Sequence, residues 1–478
     1  MKLHRLLLNL ASMASLRLGS ALLVFALFWY LSHHMLPSQL GGFSLLMNLF
    51  YLFQSLLLLG LNMPLMRRIA ALPEVAAVES SNSCFFALPV AALIGVGLAL
   101  TGHFYSGDGL VWPFALLGLS MLPTAWTVVA ECVLIGQEQM YGVACVNLLE
   151  AMARLVGSVA IISAGFGLTG VFVLFTALRF GAAAAYLFNR HVPAPKWRLV
   201  AARTIESYRR EVPTYLAIAV VTGLCARIDI LLVSKLLSLH DAGIYAAAVR
   251  LSDAALMLPT TAAVVIFPTQ ARMFETNRAG FENLMSGAVR WYLIAGFAAA
   301  LLVVTLAPFI VHVLYAPALA EAAPVLQILI LGAAMMVMDQ LLSTTMMAAR
   351  AQQADLRSMT FGLGVLVSLI IVLAHFFGLS GAAMASPAAL LVRVLYRLRW
   401  AQHLFSKPLV WAALRVLAAA AAAVAVLYFG AASGRTLDLI AAYAAYGFLL
   451  WATRSLQAAD WQVLREFVAA QRHGAGRI

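Results

Sequence analysis

Apolar runs of bilayer length follow one another from Ala21 to Ala452, and charges seldom interrupt them. A helix that crosses the hydrocarbon core needs about 20 such residues. Lipid offers no partner to an open backbone, so segments of this kind must be helices. Fourteen spans can be drawn, over 15–35, 42–65, 84–104, 111–135, 143–164, 167–189, 212–237, 243–266, 289–315, 322–348, 358–377, 380–402, 408–430 and 435–453. The fold class this predicts is an all-α polytopic membrane protein. Composition agrees: 64% of the 478 residues are hydrophobic and 10% are charged, against about 45–50% and about 25% in soluble domains.

The formal net charge of +12 calls for a solvated basic domain if it is to bind nucleic acid, and the sequence offers none. The charge is better explained by topology. Even-numbered spans end in Arg67-Arg68, in the stretch 190–210, in Arg272 and Arg278, in Arg350 and Arg357, in Arg397, Arg399 and Lys407, and in Arg454. Odd-numbered spans end in HHMLPSQLG, HFYSGDG, AGFG, SLHDAG, YAPALAE, GLSG and AASGR, which hold almost no Lys or Arg. Positive loops stay in the cytoplasm, which predicts that both termini are cytoplasmic. The first apolar run, from Ala21 to Leu36, lacks a cleavage site after it and reads as an uncleaved helix. The charge-poor loops are all short and have no room for an extracytoplasmic catalytic domain.

The chain divides into a six-span lobe over 1–190, a basic cytoplasmic linker over 191–211, a second six-span lobe over 212–405, two additional spans over 406–453 and a cytoplasmic tail over 454–478. Past Pro193 and Pro195 the linker could lie along the inner surface as a basic helix. In the tail, Trp461, Leu464, Phe467 and Val468 share one face, as in an interfacial helix. The lobes carry an internal echo. GGFSLLMNLFYLFQSL…NMPLMRRIA from Gly41 parallels GIYAAAVRLSDAALML…IFPTQARMF from Gly243. Gly41 matches Gly243, Phe43 matches Tyr245, Asn48 matches Arg250 and Tyr51 matches Asp253; with two inserted residues, Pro64 matches Pro268 and Arg68 matches Arg272. Duplicated lobes around a midplane cavity are a common transporter design.

A charge at the bilayer centre costs about 2.5–3.5 kcal/mol on insertion scales, so it faces a bundle interior or a wet cavity. Lobe one holds Glu150, Arg154 and Arg179. Lobe two holds Arg227, Asp229, Arg250, Asp253 and Asp339. Glu150 and Arg154 at i,i+4 can pair, as can Arg250 and Asp253 at i,i+3. Arg227 and Asp229 point in different directions, and each needs a partner elsewhere. Two readings stand: a neutral network that ties helices together, or a cationic cavity for an anionic substrate, to which arginine offers a bidentate fork. An unpaired acid such as Asp339 could instead carry a coupling proton or cation. Lys235 can snorkel, and Glu131 and Arg393 sit where they could reach headgroups. His312 and His375 lack a second ligand at metal spacing. Tyr105 and Tyr315 could stack on sugars. Cys84, Cys132, Cys145 and Cys225 form no CxxC pair and read as small buried hydrophobes. The chain has no P-loop, HExxH or GxSxG, so no cofactor or enzymatic constellation is expected.

The stretch ARIDILLVSKLLSLHDAGIYAAAVRLSDAALMLPTTAAVVIFPTQARMF resembles polysaccharide flippases of the multidrug/oligosaccharidyl-lipid/polysaccharide exporter superfamily. The resemblance is carried by Arg227, Asp229, Gly243, Tyr245, Ala248, Arg250, Pro259 and Pro268, with Gly41, Phe43, Pro64 and Arg67-Arg68 as its lobe-one echo. It implies two pseudo-symmetric six-helix lobes around a central cavity and two extra C-terminal helices. It further implies alternating-access flipping, in a bacterial cytoplasmic membrane, of an oligosaccharide on an undecaprenyl-pyrophosphate carrier destined for O-antigen, capsule or exopolysaccharide. Polymerases and other polysaccharide-assembly proteins would be its partners. Arg154, Arg179, Arg227 and Arg250 then become candidate substrate contacts, with Glu150, Asp229, Asp253 and Asp339 as structural or coupling acids. Three alternatives remain open: a lipid II flippase, a cation-coupled drug antiporter that uses Asp339 or Glu150, and a non-transporting scaffold of a polysaccharide synthase complex.

Overall fold

The computed structural model describes residues 19–200, 202–349, 351–401, 409–429 and 435–453. The tail expected to be interfacial, with Trp461, Leu464, Phe467 and Val468, lies outside the described residues, as do Lys407 and Arg454.

Among the described residues every regular element is helical. Helix α1 covers 19–34. It is followed by α2 (Pro37–Leu56), α3 (Asn62–Ala71), α4 (Ala76–Thr101), α5 (Val111–Gly136), α6 (Met140–Ser163) and α7 (Gly167–Leu187). Then come α8 (Ala202–Leu236), α9 (Leu239–Thr276), α10 (Arg278–Leu314), α11 (Ala322–Ala348), α12 (Gln352–Ala401), α13 (Leu409–Phe429) and α14 (Arg435–Ala452). Among the described residues, eight helices are long and apolar enough to cross a membrane on length and composition alone.

Two departures from simple spans have local causes. The second span breaks between α2 and α3, where Leu59 (φ 51°) and Gly60 (φ 80°) turn left-handed. At Gly60 the backbone of α8 passes so close that an added Cβ would lie 2.2 Å from the Tyr215 carbonyl oxygen. Only glycine fits there. The eleventh and twelfth spans run through α12 with no loop between them: the helical backbone breaks at Gly378 (φ 58°, ψ −138°) and the chain folds back, so that Gly362 lies against Arg393.

Contacts divide the chain into two compact units. The first comprises Met1–Ala246 with Leu314–Leu319, and the second Ala247–Val313 with Ala320–Ile478. In the first unit an aromatic ladder joins α2 to α7. Phe43 lies 6.1 Å from Phe172, and Phe50 meets Phe175 edge-on at 4.8 Å. Helix α8 lies along α2, where a Cβ on Gly223 would stand 2.9 Å from a methyl of Leu52. In the second unit, Phe281, Met285, Val289, Leu293 and Phe297 recur every four residues down one face of α10. That is the period of a buried helical stripe. They pack in one core with Met338, Leu341 and Leu342 of α11 and with Val416, Ala420 and Tyr446 of α13 and α14. The Tyr443 and Tyr446 hydroxyls donate to the Ala298 and Ile294 carbonyls at 2.6 and 3.1 Å, which ties α14 to α10.

The linker does not form a separate surface helix. From Ala202 it is continuous with α8, which at 35 residues extends about 50 Å, well beyond the roughly 30 Å hydrocarbon core. A polar patch on α4 holds it. Glu79, Ser80, Ser81, Asn82 and Ser83 are all buried. Ser80 donates to the Pro193 carbonyl at 3.2 Å, and the Lys196 amide donates to Ser81 at 3.0 Å. The Tyr208 hydroxyl donates to Glu79 and lies 3.2 Å from Ser83. Arg68 covers the Tyr208 ring at 4.8 Å and pairs with Glu211 at 2.5 Å. A helix docked by a buried tyrosine and an ion pair is not available to lie on the membrane surface.

Candidate functional site

Among the described residues the candidate charges of the sequence fall mainly into three clusters, which differ in how their arginines are neutralised. In the first unit, Thr124 and Thr127 on α5, Glu150 and Arg154 on α6 and Arg179 on α7 converge. Arg179 is almost fully buried and uses all three guanidinium nitrogens. Nε donates to Thr124 at 3.1 Å, Nη1 to Glu150 at 3.0 Å and Nη2 to Thr127 at 2.5 Å. Glu150 also accepts from Arg154, as its i,i+4 spacing predicts. Arg154 lies over the Phe175 ring at 4.6 Å, and its Nε has no hydrogen-bond partner. The network therefore holds two guanidinium groups against one shared carboxylate. Glu131 stays on the inside of the bundle, accepting from the Tyr186 hydroxyl at 3.4 Å. A hydrogen bond to a charged group is worth about 1.5–3 kcal/mol. Thr127→Val should therefore lower the melting temperature of the detergent-solubilised protein; an unchanged melting temperature would contradict this reading.

In the second unit the acid that the sequence leaves unpaired is doubly paired. Asp339 on α11 accepts from Arg393 through both oxygens, at 3.1 and 2.6 Å. It also pairs with Arg397 at 2.6 Å. Arg397 reaches Asp355 at 2.7 Å, Ser358 at 2.9 Å and the Asp339 carbonyl at 2.9 Å. Ser343 donates to the second oxygen of Asp355 at 3.0 Å. Two acids thus meet two arginines. Three expectations change as a result. Asp339 is not a lone carboxylate, Arg393 turns inward rather than toward headgroups, and Arg397 is a buried residue rather than a loop cation. Gly362 makes room for this: a Cβ there would come 3.0 Å from the Arg393 stem.

The third network lies on α8 and α2. Arg227 is half-buried. Its Nη1 donates to the Asn48 side-chain oxygen at 3.0 Å, and its guanidinium lies 5.1 Å above the Tyr51 ring. Asn48 is buried and donates its own amide to the Ser44 carbonyl at 2.8 Å, which aims its oxygen at Arg227. Arg227 makes no ion pair with any described residue. Asp229 faces elsewhere, as predicted, accepting the Ile230 amide at 2.8 Å and the Tyr245 hydroxyl at 3.2 Å. Asn48 and Tyr51 are the neutral repeat counterparts of Arg250 and Asp253. The sequence showed that correspondence but not that the two side chains hold Arg227. On α9, Arg250 is half-buried and Asp253 exposed, and neither is without a partner.

The aromatic candidates are occupied by the protein. Tyr105 stacks on Phe114 at 5.4 Å and lies under the Lys235 ammonium at 5.6 Å. Tyr315 is buried against Phe28 at 6.0 Å. No group of three or more His, Cys, Asp or Glu able to hold a metal occurs among the described residues.

Solved structures share this all-helical fold. A structure of the lipid II flippase MurJ in an inward closed conformation is 13% identical, with a TM-score of 0.68 over 91% of this chain and 97% of that one. An inward-facing multidrug resistance MATE family transporter of the MOP superfamily is also 13% identical, with a TM-score of 0.68 over 80% and 94%. An outward-facing MATE family transporter is 15% identical, with a TM-score of 0.57 over 83% and 94%. No curated protein sequence matches the chain. Residues 31–291 match the family described as polysaccharide biosynthesis protein. The chain belongs to that family, which bears out the resemblance read from Arg227 to Pro268.

Proposed function

We propose that this protein is a flippase for an undecaprenyl-pyrophosphate-linked oligosaccharide repeat unit. It carries the repeat unit across the bacterial cytoplasmic membrane by alternating access, for assembly of a surface polysaccharide. Family membership and the shared transporter fold support the class. The observation that carries the substrate reading is Arg227, a half-buried guanidinium on a spanning helix with only an amide oxygen and a phenol ring as partners. Such a group is costly in a membrane unless an anion or water meets it, and its planar fork suits a pyrophosphate. Arg154, with its free Nε, is a second candidate contact, and Arg250 a third. Arg179, fully engaged within the protein, positions Glu150.

The alternatives fit less well. A cation-coupled drug antiporter would use Asp339 or Glu150, and each of these is bound by two arginines. A passive scaffold would need only paired charges, which Arg227 is not. The lipid II flippase shares the fold equally well, and family membership favours the polysaccharide substrate.

Deleting the gene should abolish surface polymer and leave the lipid-linked oligosaccharide accumulating on the cytoplasmic leaflet, with the wild-type gene restoring both. Surface polymer at normal levels in the deletion strain would contradict the proposal.

A further inference from the structure

The two glycines matched by the internal repeat meet each other. A Cβ added to Gly41 would lie 1.8 Å from the Leu239 carbonyl oxygen and 2.9 Å from the Gly243 nitrogen. A Cβ added to Gly243 would lie 2.1 Å from the Pro37 carbonyl oxygen and 3.1 Å from the Gly41 nitrogen. The contact is reciprocal: each glycine packs against the carbonyl one turn before the other. The first turns of α2 and α9 therefore cross backbone on backbone, with no side chain between them. Both are buried there, with Leu40, Ala242, Ile244 and Tyr245 fully enclosed. The segment 239–246 clusters with the first unit although the rest of α9 belongs to the second, and the segment 314–319 does the same. Both lie at loops that charge assigns to the outer face.

We propose that the Gly41–Gly243 crossing is the seal of that outer face and parts whenever the protein opens to it. The inference rests on the alternating-access reading above. Its physics is specific to glycine. A crossing made of bare backbone holds by close dispersion and weak Cα–H···O contacts. It can separate without freeing interlocked side chains, and one methyl group is enough to wedge it. A second glycine pair provides the contrast. Cβ atoms on Gly95 and Gly118 would lie 2.7 and 2.3 Å from each other's carbonyl oxygens, where α4 and α5 pack; both of these helices belong wholly to the first unit, whereas α9 continues into the second. That crossing is a permanent part of the fold.

The test uses the full chain with its four native cysteines replaced by alanine and Ser44→Cys introduced one turn inward of Gly41. Ser44 is buried and its hydroxyl has no hydrogen-bond partner, so cysteine fits the site. A membrane-impermeant maleimide is applied from outside. Gly41→Ala and Gly243→Ala should each raise the labelling rate by roughly tenfold, the shift in the opening equilibrium that about 1.4 kcal/mol of strain produces. The double variant should label no faster than the single variants multiplied together would predict, because both methyls wedge one crossing. Gly118→Ala should leave the rate unchanged. Labelling at the parental rate in both Gly41→Ala and Gly243→Ala, or an equal rise in Gly118→Ala, overturns the proposal. Should the alanine variants fail to accumulate, Pro37→Cys with Leu239→Cys keeps both glycines. A short reducible tether between those cysteines should stop Ser44→Cys labelling, and reduction should restore it; labelling that continues with the tether complete overturns the seal. None of these readouts needs substrate. Slow labelling opened by the wedges in a strain whose polymer does not depend on this chain would uphold the seal and refute the flippase.

Discussion

Arg397→Ala is expected to leave almost no folded protein. Arg397 is 2% exposed, and its guanidinium bridges Asp339, Asp355 and Ser358. Its removal leaves two buried carboxylates with Arg393 as the remaining cation. Removing one partner from a buried ion pair costs about 3–5 kcal/mol, because the stranded charge stays desolvated. A domain's whole stability is about 5–15 kcal/mol. The same principle predicts asymmetry. Replacing Arg393, Arg397, Asp339 and Asp355 together by apolar residues of similar volume should restore much of the loss, since a buried network is often no more stabilising than a packed core. Arg399→Ala, two residues away but exposed, should accumulate normally. Size-exclusion profiles and melting temperatures in detergent would read all three. A monodisperse Arg397→Ala protein melting at the wild-type temperature would show that the quartet does not hold α11 to α12.

Arg227→Ala should behave in the opposite way, with protein at the wild-type level and surface polymer lost. Its two partners are neutral, so its loss strands no buried charge: the Asn48 amide keeps its bond to the Ser44 carbonyl, and what is lost is one donor to the Asn48 oxygen and the cation over the Tyr51 ring. The fold therefore tolerates the change. The substrate would lose a charge-assisted hydrogen bond worth about 1.5–3 kcal/mol, a factor of at least roughly ten in binding. Arg227→Lys should lose much of the polymer as well, because an ammonium keeps the charge but not the bidentate fork. Full polymer in Arg227→Lys with none in Arg227→Ala would limit the role of Arg227 to charge alone.

The sequence made the helices legible because bilayer length and loop charge are local signals. It also paired Gly41 with Gly243 and separated Arg227 from Asp229. The partners of Asp339 stayed hidden for a physical reason. Along a helix only i,i+3 and i,i+4 neighbours can be read from spacing, whereas Arg393 lies 54 residues from Asp339 on another helix. Arg397 resembled a loop cation because it stands near a helix end, and only packing shows that this end is buried. The run Glu79–Ser83 is a local signal in the sequence: five polar residues in succession at the start of an apolar helix, which in the structure dock the linker and Tyr208.

The central claim is that Arg227 meets the pyrophosphate of a lipid-linked sugar. The most direct measurement is translocation by the purified protein in proteoliposomes, with a fluorescent undecaprenyl-pyrophosphate oligosaccharide as the probe and leaflet exposure as the readout. Wild-type protein should move the probe across the bilayer, and Arg227→Ala, folded and reconstituted in equal amount, should not. Translocation by Arg227→Ala at the wild-type rate, or none by the wild-type protein, would contradict the account.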